Sequence, residues 1–216
     1  MRVNPALVVM SPIHRHPLVL VHGIDDTVAV FDSAIAYLRQ QGWSSFHPLN
    51  LLPNNGHTGL DVLATQVAHY IERRFPAEQP VDLLGFSMGG LVSRYYIQRL
   101  GGLKRVDRFV TVSAPHQGSW LAYGRWNQGC EQMRPNSLFI QDLSQDVNML
   151  SQLAFTSIWT PYDLMIVPAE SSRLPVGREI KVPVLTHSGM LTNRISLAAI
   201  HSALAVSSLA NTAMSL

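Results

Sequence analysis

The chain has 216 residues, 47% hydrophobic and 14% charged, with a formal net charge of +2. That composition suits one ordinary globular domain with a sizeable core and excludes a disordered or fibrous chain. Its basic residues are scattered, so no stripe for nucleic acid exists. Leu18 to Val21 is a short apolar run, read as a strand, ending in His22-Gly23. Asp26 or Thr27 can cap a helix that runs to about Gln41, with Gly42 just beyond it. Ser45 to Leu49 reads as a strand. Leu60 to Phe75 carries helical spacing and stops before Pro76. Val81 to Leu84 reads as a buried strand and Met88 to Leu100 as a helix closed by Gly101. Phe109 to Val112 is the next strand. Ser137 to Leu153 reads as a helix, Phe155 to Trp159 and Ile180 to Leu185 as late strands, and Ile195 to Leu209 as a terminal helix.

Alternating strands and helices predict an α/β fold: a mostly parallel sheet with helices on both faces. Ligands of such sheets sit beyond the C-terminal strand ends. His22, Ser87, His116, Asp163 and His187 all fall just after predicted strands. We expect a single domain over 1–216, with 118–136 as the segment that departs most from strict alternation.

Gly85-Phe86-Ser87-Met88-Gly89 matches G-x-S-x-G between a strand and a helix. This places Ser87 on a strained corner, with small residues on either side so that strand and helix can approach. The corner also sits at a helix N-terminus, where developing negative charge is favoured. A serine hydroxyl needs a base and an orienting acid, and on this scaffold the acid and then the base follow the serine along the chain. Asp163 follows a late strand and is the acid candidate. Asp142 and Asp146 lie in a predicted helix, and Glu170 and Glu179 do not directly follow a strand. His187, after the last strand, is the base candidate. His201 sits among apolar residues of the terminal helix, His116 precedes the acid, and His47 and His57 read as loop-shaping residues after an early strand. The backbone N–H groups of Ile24 and Met88 are the expected oxyanion donors. His22, His116 and Trp120 are expected to line the substrate site. Cys130, the single cysteine, excludes an internal disulfide and reads as an inert thiol.

With these residues assembled, the chain resembles the small bacterial lipases and esterases of the α/β-hydrolase superfamily. The resemblance runs from about Leu18 to Ala205. It rests on His22-Gly23-Ile24, Gly85 to Gly90, Ser113 to Gly118, Asp163 to Pro168, and His187-Ser188-Gly189. It implies hydrolysis of lipid or acyl esters through an acyl-serine intermediate, with no organic cofactor and no metal. A thioesterase, phospholipase or acyltransferase is the alternative on the same scaffold, and a non-catalytic binding protein is the rival from another class. Two features depart from the pattern. Asp25-Asp26 stand where small lipases often carry glycines, and a carboxylate beside the oxyanion would oppose catalysis. Both are therefore expected to point away and cap the next helix. Segment 118–136 is long for a near-minimal enzyme and reads either as a partial lid, with Trp120, Tyr123 and Trp126 meeting the acyl chain, or as a plain packed connection. No apolar run reaches the ~20 residues of a membrane span, and the chain start lacks the apolar core of a signal peptide. A soluble, cytoplasmic protein is expected. Peripheral membrane contact through Ile195–Leu209 is the weaker reading of a stripe that suits packing on the sheet.

Overall fold

Short apolar runs need neighbours for their backbone groups as well as for their side chains, and here they find both in one parallel sheet. The computed structural model describes residues 16–206. Its strands are β1 (Leu18–Val21), β2 (Phe46–Leu49), β3 (Val81–Phe86), β4 (Val106–Val112), β5 (Ala154–Trp159) and β6 (Arg178–Lys181), in the spatial order β2-β1-β3-β4-β5-β6. Every pairing is parallel. The register levels the strand ends: Val21 lies opposite Gly85, Phe86 opposite Val112, and Val112 opposite Ile158. The loops after β1, β3, β4 and β5 therefore rise from one edge of the sheet, where ligands of parallel sheets bind.

Both faces are covered, as near-continuous apolar strands require. Helices α2 (Leu60–Arg74), α3 (Met88–Arg99), the short α4 (Gln128–Gln132) and α5 (Leu138–Gln145) bury Leu63, Val67, Leu91, Val92, Cys130 and Leu143 in one core with Val19, Val21 and Leu83. Helices α1 (Asp32–Gln40) and α6 (Arg194–Leu204) bury Leu38, Leu197 and Ile200 in the other, with Leu18, Leu20 and Leu84. Burying one such side chain contributes roughly 1.5–3 kcal/mol. The apolar stripe of α6 thus packs on the sheet, and residues 207–209 of the expected terminal helix, like the ends of the expected 1–216 domain, lie outside the described residues. Among the described residues no helix is long and apolar enough to cross a membrane.

Some boundaries differ from expectation for local reasons. The first helix opens as a 3-10 turn, Val28–Phe31, with Thr27 at its N-cap making no side-chain bond, and α1 proper starts at Asp32. The expected helix over 137–153 divides into α5 and a 3-10 stretch, Val147–Gln152. The last strand ends at Lys181 rather than Leu185, because Pro183 has no N–H to extend the ladder. His47 lies within β2, edge-on to Phe75, rather than after the strand. At the sheet's opposite end, fully buried Asp82 accepts two bonds from buried Arg108, both at 3.2 Å. Burial pushes the Asp82 carboxyl up to about 7, against the opposing charge of Arg108.

Candidate active site

Ser87 follows β3 and precedes α3 with φ 53° and ψ −125°. A non-glycine residue there carries strain of roughly 1–3 kcal/mol. The neighbouring strand holds it: the Ser87 N–H donates to Val112 O at 2.9 Å. The elbow's glycines are steric necessities. A β-carbon at Gly85 would lie 2.6 Å from Gly90 Cα, and one at Gly89 would collide with the carbonyl oxygens of Val21 and His22. Gly89 thus lets α3 close upon β1, whereas the sequence reading had it clear the approach of its own strand. Ser87 is half-buried, and Met88 opens α3, so its N–H lies in the first turn, where no intrahelical acceptor exists.

Asp163 and His187 come together. The His187 Nδ1 lies 2.8 Å from Asp163 Oδ2 and 3.0 Å from Oδ1. Oδ1 also accepts the N–H groups of Met165 and Ile166, at 2.9 and 3.1 Å. An ionised carboxylate can only accept, so Nδ1 carries the proton and Nε2 keeps its lone pair. Burial raises the Asp163 carboxyl, but the hydrogen bond and charge of His187, the nearby Ser113 hydroxyl and the Met165 N–H outweigh it, leaving the group below its ordinary value. The Phe86 ring packs on His187, with centroids 4.8 Å apart, which sets the imidazole beside the elbow. The rival carboxylates are engaged elsewhere: Asp142 and Asp146 pair with Arg99, and Glu179 with Arg173. Ser113 was missed by sequence reasoning. It directly follows β4 with φ 49° and buries its hydroxyl near Asp163.

His22 and His116 do not line the site. His22 is fully buried; its Nε2 accepts the Leu51 N–H at 3.0 Å and its Nδ1 meets Gly23 O at 2.8 Å. It holds the loop from its buried side. His116 is also fully buried, with Nε2 3.0 Å from Thr111 Oγ1. Burial, together with the Arg94 charge, keeps it well below the usual histidine range and therefore neutral. The two aspartates after Ile24 do not cap the next helix. A β-carbon at Gly23 would lie 2.8 Å from Asp26 Oδ2 and 3.5 Å from Ser87 Oγ, so the Asp26 carboxyl is close to the elbow. Burial raises that carboxyl above its ordinary value, while the nearby His22 and His187 act against the rise. Asp25 pairs with Arg125 at 2.6 Å, both side chains about half exposed.

A cavity of about 330 Å³ opens at Ser87. Its wall includes Ile24, Leu121, Ala122, Cys130, Met133 and Ile166. Segment 118–136 supplies much of this wall, but through its aliphatic and sulfur side chains. Trp120 lines a separate surface cavity, and Trp120 and Trp126 are 57% and 85% exposed, so these rings do not line the cavity at Ser87 where the sequence places them. Arg134 sits over the rings of Tyr123 and Trp126 on the outer surface. Burial pushes the Cys130 thiol up, in keeping with an inert wall residue. Among the described residues no group of three or more His, Cys, Asp or Glu side chains could hold a metal ion.

The sequence model of the palmitoyl protein thioesterase family matches residues 17–146, a span holding the loop after β1, the elbow and segment 118–136. Asp163 and His187 lie beyond it. Among solved structures, the mature lipase BlEst2 of Bacillus licheniformis is similar with a TM-score of 0.69 at 15% identity, over 91% of this chain and 94% of that one. Lipase B of Aspergillus fumigatus is similar with a TM-score of 0.75 at 21% identity, over 90% of this chain and 53% of the larger enzyme. Phospholipase PlaB of Legionella pneumophila gives 0.71 at 12% identity, over 90% and 61%. At these identities the likeness is one of fold: the α/β-hydrolase sheet with its helices.

Proposed function

The chain belongs to the palmitoyl protein thioesterase family of α/β-hydrolases, and from that premise we propose that it is a serine hydrolase that cleaves acyl esters of lipids through an acyl-serine intermediate. One observation supports the reading: His187, doubly contacted by Asp163, packs on Phe86, the residue directly before a serine held in a strained strand-to-helix corner. Ser87 attacks the acyl carbonyl while His187 Nε2 takes its proton. Asp163 fixes the imidazole tautomer and stabilises its charged form. The Ile24 and Met88 amides receive the oxyanion, each donor contributing roughly 2.7–4 kcal/mol in the transition state. His187 then protonates the leaving group, and water repeats the cycle on the acyl-enzyme. The apolar cavity beside Ser87 receives the acyl chain. Thioesters are the second reading, favoured by the family match, since the same machinery serves both bonds.

The test is hydrolysis of p-nitrophenyl esters from acetyl to palmitoyl alongside acyl-coenzyme A thioesters, with wild type beside Ser87→Ala. Turnover that falls by several orders of magnitude in the variant, with folding intact, is expected. Equal turnover in the variant would end the proposal. The ratio of ester to thioester rates separates the two readings.

A further inference from the structure

The cavity beside Ser87 is lined by two charged side chains, Asp25 and Arg125. They form an ion pair of 2.6 Å that joins the loop after β1 to segment 118–136. Asp25 is the residue after Ile24, and it is held in the left-handed region with φ 58°. Its N–H donates to Asn54 O at 3.1 Å. On the other side, Arg134 donates to Arg125 O at 3.1 Å, so the backbone that presents Arg125 is also fixed. The pair therefore fastens a wall segment to the loop that carries the Ile24 amide.

The cavity's size makes that fastening consequential. A volume of about 330 Å³ holds on the order of ten methylene-sized groups, taking about 30 Å³ for each water-sized unit. A butyryl group fits inside with the pair intact, whereas a palmitoyl chain exceeds the space and must continue past the cavity's solvent-facing edge, where the half-exposed pair stands. The pair is also easily undone. Its side chains are 51% and 46% exposed, and an ion pair so wetted is weak and screened by salt.

Building on the assignment of Ser87 as the acyl-accepting nucleophile, we propose that the Asp25–Arg125 ion pair is a latch that sets acyl-length selectivity. Short acyl groups are processed with the latch closed. Long ones require it to part, so that the chain emerges between the β1 loop and segment 118–136. Breaking the latch removes a penalty that falls on long chains alone.

The experiment measures kcat/KM for p-nitrophenyl palmitate and butyrate and takes their ratio, at low and high salt, in wild type, Asp25→Asn, Arg125→Gln and the double variant. Asparagine tolerates the left-handed backbone, so position 25 keeps its conformation. A ratio is blind to any fraction of unfolded enzyme. The ratio is expected to rise several-fold in each single variant and no further in the double one, because the two side chains act as one unit. Salt is expected to raise it in wild type and leave it unchanged in the variants, which report any effect of salt on the substrates themselves. A ratio that ignores the substitutions, additive effects, or equal salt dependence in all four proteins would overturn the latch. Failure of wild type to hydrolyse either ester would instead overturn the assignment of the site on which it rests.

Discussion

Consider Asp163→Asn, a change of one atom. In the wild type Oδ1 accepts the N–H groups of Met165 and Ile166, and Oδ2 approaches His187 Nδ1 most closely, at 2.8 Å. The two backbone donors select the amide oxygen of asparagine for the Oδ1 position. The NH2 group is thereby driven to the Oδ2 position, facing Nδ1. Two donors cannot share that contact, so Nδ1 must give up its proton and accept. The proton moves to Nε2, the atom that has to receive the Ser87 proton. Shape and packing barely change, but the base is blocked. The analogous change in serine proteases lowers kcat by about ten-thousandfold, which corresponds to about 5.5 kcal/mol at ~1.4 kcal/mol per tenfold. The assay is the kcat for p-nitrophenyl butyrate, with the melting temperature measured in parallel. A loss below tenfold in a fully folded variant would refute the reasoning, because the tautomer would then not depend on this carboxylate.

Gly89→Ala drives a methyl group into the carbonyl oxygens of Val21 and His22; we expect a stability loss of about 1–3 kcal/mol from overpacking and a larger drop in kcat than in melting temperature, read by urea unfolding and steady-state kinetics. Asp82→Ala removes both 3.2 Å contacts of the buried Arg108 and leaves it Asp107, at 3.3 Å, and the Val206 carbonyl; the loss should fall below the roughly 3–5 kcal/mol of a fully orphaned buried charge, and kcat per folded molecule should stay level because the pair lies at the far end of the sheet. Acid stability should carry the mark of Asp163. Its folded carboxyl lies below its ordinary value, so its contribution is complete above the unfolded value of about 3.9 and is lost as pH falls through the folded one. Wild type should therefore lose more stability than Asp163→Asn over that acid interval, and parallel acid-unfolding curves would contradict this.

The strand runs, the elbow and the chain order of serine, aspartate and histidine were legible because each depends on local chemistry. Apolar runs need a sheet, a corner needs glycines, and loops after strands collect at one edge. What stayed hidden depends on distant partners. Nothing near His22 announces that Leu51, twenty-nine positions on, supplies an N–H to its Nε2. A histidine before a glycine at a strand end looks the same whether it faces a ligand or a neighbouring backbone. The destination of Asp25 was illegible because Arg125 lies a hundred residues away. The aromatics of 118–136 looked like an acyl lining by residue type, yet Arg134 draws Tyr123 and Trp126 to the outside. For Ser113 a signal existed in hindsight: a second serine closing the strand beside the elbow, with the same left-handed φ.

The contacts of His22 amount to a crank. A peptide group is planar, so its carbonyl and its following N–H point in opposite directions and turn as one body. By gripping Gly23 O, the imidazole aims the Ile24 N–H without touching it. The same ring takes its bearing from the Leu51 backbone, just beyond β2 at the sheet margin. On the proposed mechanism the Ile24 amide is thus geared to backbone outside the lining of the cavity at Ser87, and sequence change near Leu51 is expected to retune turnover while leaving that lining untouched.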